Sequence, residues 1–207
     1  MGLFKKDSFF WWGCFSAFLV ALDISVNLGD WTELFWFCPV AATVTAIAFF
    51  RKSSLLFTIC LVLAIPAQLP WVFDFILYFF NGGMGRTDWL ARSGAFIFWG
   101  SAVVHSAVIP LAAWGVWRLG FHRGALFPAM LSGFLLLMVS FFFTPISRNV
   151  NCVFFSCDDM GCGPNFLIYF LVGCLLRWAL IVPVSFWILR WLFRNVSRKE
   201  CADANSP

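Results

Sequence analysis

A thiol and an imidazole set deep in apolar sequence are the groups best suited to chemistry in this chain. Cys38 lies in WTELFWFCPVAATVTA, directly before Pro39, and His105 lies in WGSAVVHSAVIPLAAW, five residues before Pro110. An imidazole in mid-span cannot be ascribed to interface snorkelling. It bonds across helices, ligates a metal or haem, or moves protons. A cysteine attacks only where a base holds the thiolate, and His105 is the natural base; otherwise a membrane cysteine is a small hydrophobe. By helix rise the two sit at roughly 18 Å (His105) and roughly 10 Å (Cys38) from the outer boundary, a gap that tilt narrows. Thr32, Thr43 and Thr45 are competing hydroxyls, although hydroxyls within spans normally bond back to their own helix. A haem would want a second axial ligand, and the other histidine, His122, belongs to an inner loop. Neither a metal nor a cofactor is expected.

A few further polar groups interrupt the apolar sequence. Gln68 stands between Pro66 and Pro70 in AIPAQLPW. Two prolines in one span predict a broken or kinked helix whose freed backbone groups, with Gln68, line a cavity or pair with neighbours. Asp74 follows in PWVFDFILYFFN and is expected to face the bundle, paired with Arg177 or a loop arginine or contacting substrate. Asp23, near the outer end of the first span, is expected to reach the headgroups. Thr144, Asn149 and Asn151 sit at the outer rim, where the asparagines could order the loop or accept a headgroup. A glycine-rich phosphate loop, HExxH, GxSxG and Cys-x-x-Cys are all missing from the sequence, which lowers most soluble-enzyme chemistries.

These groups must be positioned by membrane helices. The chain has 207 residues, 62% of them hydrophobic and 12% charged, with 28 Phe and 12 Trp. A soluble domain runs nearer half apolar and a quarter charged. The balance excludes a disordered chain and speaks against an ordinary soluble enzyme. Six apolar stretches are long enough to span: roughly 9–28, 34–50, 55–80, 94–117, 125–145 and 165–191. The second is short unless Trp31 to Glu33 belong to it. The third and sixth exceed the minimum, so tilt or a kink is expected. The expectation is one all-α polytopic bundle over residues 1–207, with six transmembrane helices.

Basic residues orient it. Lys5, Lys6, Arg51, Lys52, Arg118, Arg123, Arg190, Arg194, Arg198 and Lys199 fall on one side, and Arg86, Arg92 and Arg148 on the other. Ten against three places both termini in the cytoplasm. The net charge of +4 therefore reflects topology, and no nucleic-acid partner is expected. The opening MGLFKKDSFFWWG reads as a retained first span rather than a cleaved signal, and as lacking a myristoylation pattern. A bacterial inner (plasma) membrane is the expected location. Of 8 cysteines, Cys152, Cys157 and Cys162 cluster in an outer loop, 146–164, where an oxidising exterior would permit one disulfide. Their spacing does not suit a zinc knuckle.

Three features together resemble a superfamily of six-span membrane proteins that includes androgen-induced hydrolases, a transmembrane acyltransferase and YwaF-like bacterial proteins. They are TELFWFCPVAA with the basic hinge Arg51–Lys52, HSAVIP with His105 and Pro110, and the Asn149–Asn151 outer loop. The likeness covers about residues 30 to 190. It implies acyl-ester chemistry on lipids within the membrane. His105 matches the family histidine, Cys38 the cysteine-bearing position, and Thr32 the competing threonine nucleophile. Trp36 replaces the usual polar residue before the cysteine, and a second histidine is missing from the span-four motif.

Two readings follow. In the first, the protein is a lipid hydrolase or acyltransferase: Cys38 or Thr32 attacks an acyl ester, His105 serves as base and then acid, and Gln68 or freed N–H groups stabilise the oxyanion. In the second, it is a non-catalytic, aromatic-rich membrane subunit or lipid/cofactor-binding protein, in contact with membrane lipid and with a membrane-protein partner or a second copy. A transporter would call for an internal repeat with matching broken spans, and none is evident.

Overall fold

The computed structural model describes residues 3–81, 94–154 and 165–194. All regular structure among them is helical. Helix α1 covers Leu3–Val26, α2 Phe37–Arg51, α3 Ser54–Asn81, α4 Ala95–Leu119, α5 Leu126–Phe143 and α6 Phe166–Phe193. Five of these are long and apolar enough to cross a membrane, and α2 is a shorter apolar helix of 15 residues. The protein is an all-α, multi-pass integral membrane protein.

Helix α3 is the hub. It packs on α2, α4, α5 and α6, while α1 closes the bundle by packing on α2 and α4. The main core is built from Phe49, Phe57, Leu61, Val104, Val116 and Phe186, all essentially sealed from the surroundings. Gly115 lets α4 approach α3: a Cβ there would fall 2.4 Å from the Phe57 ring. Many large apolar side chains instead point outward, among them Trp11, Phe80, Phe127 and Trp191. An apolar exterior over an apolar core is the pattern of helices solvated by lipid. At the basic end of the bundle Arg118, Arg190 and Arg194 lie over the rings of Trp114, Trp187 and Trp191. Arginine on tryptophan suits an interface where one end of the pair is wet.

The second span differs from its expected course. Trp31–Phe35 forms a separate 3-10 turn, Trp36 is extended, and α2 starts only at Phe37. Pro39 suits this start: it has no N–H to give, and in a helix's first turn none is needed. In α3 the two prolines do not break the helix, which runs unbroken from Ser54 to Asn81 with Pro66 and Pro70 inside it. The last apolar run is long, as expected, and α6 contains a π-helical stretch at Tyr169–Leu176. Gly173 sits there with the Tyr169 ring against it.

Candidate functional site

The extended break before α2 needs partners for its exposed backbone groups, and Asn151 supplies them. Its Oδ1 accepts from Phe37 N at 2.9 Å, and its Nδ2 donates to Phe35 O and to Ser140 Oγ, each at 2.7 Å. Phe37 N–H is one of the donors that a helix start leaves unpaired, so Asn151 caps α2 from 114 residues away while tying it to α5. Asn149 Oδ1 accepts from Phe154 N at 2.9 Å. Both asparagines have left-handed backbones, φ 43° and 55°, which Asn tolerates better than most residues. Their observed partners are thus the loop and the helix start. The Phe37 ring stacks on Trp178 of α6 at 4.3 Å, which packs the same junction from the other side. Cys152 is disulfide-bonded; Cys157 and Cys162 lie outside the described residues.

Above this clasp lies an ion-pair cluster. Arg148 reaches Asp30 Oδ2 at 2.7 Å and also bonds Glu33. Thr32, buried, donates both its hydroxyl (2.5 Å) and its backbone N–H (2.9 Å) to Asp30 Oδ1. The Thr32 hydroxyl and N–H, helped by Arg148, hold the Asp30 carboxyl below its usual range. Burial pushes Glu33 up, against the pull of Arg148. Thr32 is therefore engaged as part of a turn cap.

Beneath the break lies a small cluster of polar side chains inside the bundle. Cys38 is buried on α2, and its thiol lies against the Gln68 side chain of α3 and within electrostatic reach of Asp23 on α1. The thiol approaches the Gln68 amide without hydrogen-bond geometry, and neither Gln68 Nε2 nor Oε1 has a protein partner, although the residue is fully buried. Asp23 corrects the headgroup expectation. It is only 3% exposed, its Oδ2 has no partner, and its Oδ1 meets only Asn27 Nδ2 at 3.4 Å among the described residues. Asp23 also lines a groove of about 250 Å³ between α1 and α2, walled by Val20, Ile24, Leu34, Val40 and Val44.

His105 stands apart from this cluster. Its ring stacks on Trp71 of α3 at 4.1 Å, and its Nδ1 bonds Ser101 O at 2.8 Å. Trp71 continues the stack to Phe75, 5.5 Å away and nearly parallel. Among the described residues no hydrogen bond joins His105 to Cys38 or Thr32. Thr43 and Thr45 bond back to Pro39 O and Ala41 O, as hydroxyls in spans do, and Thr45 also meets Cys60 Sγ at 3.0 Å. Asp74 is half-buried on α3 and engaged; of its expected partners, Arg177 is exposed on α6 and does not pair with it, and the loop arginines Arg86 and Arg92 lie outside the described residues. Among the described residues no cluster of three or more His, Cys, Asp or Glu is set to hold a metal.

The grouping of Asp23, Cys38 and Gln68 from three helices had no local signal in the sequence. Ser140 and Trp71 were likewise not distinguishable from their neighbours, and Arg148 stood out only as an outer charge. Comparison of the chain with protein families, with curated proteins and with solved structures gives no match.

Proposed function

We propose that this chain is a lipid-binding membrane protein with six spans, counting α2, and both termini in the cytoplasm of a bacterial cell. The observation that carries the binding role is Gln68. A primary amide buried without a hydrogen-bond partner costs several kcal/mol, about the worth of the hydrogen bonds it forgoes. A molecule offering both a donor and an acceptor beside Gln68 offsets that cost, and Asp23, of the same cluster, lines an apolar groove between α1 and α2. The three basic residues on the outer side against ten on the inner support the orientation.

Acyl-ester chemistry at Cys38 is the second reading. It is favoured by the Cys38 thiol lying against a side-chain amide that can donate to an oxyanion. It asks His105 to leave its Trp71 stack, or another group to take the proton.

Native mass spectrometry of the protein in mild detergent tests the first reading. The wild type should carry about one lipid per chain, and Gln68→Leu should lose it. Equal retention by both proteins refutes the role of Gln68. In a reconstituted acyl-ester turnover assay, Cys38→Ala should abolish activity if the second reading holds, and unchanged turnover there and in His105→Ala removes it.

A further inference from the structure

The chemistry of the groove indicates which headgroup it takes, an inference that rests on the lipid-binding reading above. Asp23 is the one ionisable side chain lining the groove; the walls are otherwise aliphatic but for Thr43 and Pro39, and the Thr43 hydroxyl is already spent on Pro39 O. The Asp23 carboxylate is almost wholly buried, and one of its oxygens lacks a partner. Glu33 lies within electrostatic reach of it, and Asp30 is attached to the same short turn as Glu33. The cation among these described residues is Arg148, and its guanidinium is occupied by Asp30 and Glu33. The two carboxyls of the turn thus share one guanidinium, and Asp23, which lines the groove, has no cation partner among the described residues. An anionic phosphate or carboxylate head would be repelled there, and a neutral ester would leave the charge uncompensated. A buried carboxylate is most economically satisfied by a charge-assisted hydrogen bond from a cation.

We propose that the groove between α1 and α2 binds an amphiphile bearing an ammonium group, with the N–H donors on Asp23 Oδ2 and the chain lying along Val20, Ile24, Val40 and Val44. The volume of about 250 Å³ is roughly eight times that of a water molecule in the liquid, room for an ammonium head and the first carbons of a chain. The ammonium could belong to a free long-chain amine or to the zwitterionic head of an ethanolamine phospholipid, and both present the same donor.

The full chain in nanodiscs, offered dodecylamine, dodecanol or dodecyl phosphate, provides the test. Dodecylamine should bind at least tenfold more tightly than dodecanol, and dodecyl phosphate more weakly than either. Asp23→Asn should erase the amine preference. Should that variant fold poorly, Leu34→Lys, at an exposed position on the groove wall, supplies a cation internally and should also erase it. Ethanolamine phospholipid outcompeting dodecylamine identifies the zwitterionic source, and the reverse identifies the free amine; either result supports the ammonium site. Equal binding of the three probes, still lost in Gln68→Leu, overturns the headgroup inference and leaves lipid binding standing. Binding of none of them overturns both.

Discussion

The Asn151 clasp can be taken apart one bond at a time. Replacing Asn151 by Gly keeps the left-handed backbone, φ 55°, free of strain while removing all three side-chain hydrogen bonds. Interhelical bonds in membranes average about 0.6 kcal/mol each, and an orphaned buried backbone donor costs a further ~1–3 kcal/mol. Phe37 N–H becomes such a donor, so N151G should destabilise by about 3 kcal/mol. Asn151→Ala adds a Cβ to a left-handed residue, about 1 kcal/mol more. Ser140→Ala removes two bonds, the one accepted from Asn151 and the one donated to Leu136 O, and the Leu136 carbonyl lies within the α5 helix ladder, so about 1 kcal/mol is expected. Equilibrium unfolding in mixed micelles, followed by tryptophan fluorescence, reads the series; Trp178, stacked on Phe37, reports on the junction itself. The expected order of cost is N151A, then N151G, then S140A. If N151G unfolds within about 0.5 kcal/mol of wild type, the idea that Asn151 caps α2 is wrong.

Two further perturbations probe other parts of the structure. Gly115→Ala forces a methyl into the Phe57 ring and should cost about 1–3 kcal/mol, partly recovered when Phe57→Leu is added; equal stability of G115A and wild type in the same unfolding assay would show that α4 and α3 are not so close. The Arg148 ion-pair cluster predicts a definite acid response. Asp30 is lowered, so its stabilisation is complete above its unfolded value of 3.8 and is lost as pH falls through the lower folded value. Glu33 is raised above its ordinary 4.5, so the folded state takes up that proton first and gains relative stability as it does. Arg148→Met should lift both carboxyls and move the loss of hydrogen-exchange protection around the cluster to higher pH, and superimposable pH profiles for variant and wild type would contradict it.

Composition and charge placement were enough to locate the apolar segments, because lipid demands long uninterrupted helices and leaves little room for alternatives. Helix boundaries at α3, α4, α5 and α6 match the apolar runs closely. The start of α2 does not, since hydropathy runs on through Leu34 and Phe35 while the backbone turns at Asp30 and Trp36. The prolines of α3 suggest a break or a kink because each removes a donor, but a helix packed on four neighbours stays continuous through both. The π-helical stretch left no mark in the composition of α6. In the candidate site, Cys38 and Gln68 were picked out as rare polar groups, and they do meet. Asp23 looked like a headgroup-level charge because depth along one helix says nothing about which way a side chain faces. The tie from Asn151 to Phe37 depends on chain folding over more than a hundred residues, so periodicity could not reveal it.

The unequal helix lengths have a consequence for the surrounding bilayer. Helix α3 has 28 residues and α2 only 15, or about 42 Å against about 22 Å of helix rise. A hydrocarbon layer of about 30 Å cannot match both. Tilt absorbs the excess of α3, but tilt shortens a helix's reach and so offers nothing to α2. With α2 counted as a span, as proposed above, the lipid collar is uneven around the circumference, thinnest beside α2 and thicker elsewhere. Mismatch of this kind favours a particular angular arrangement of neighbours, because two such proteins lower the cost of bending the lipid by turning their thin sides towards one another.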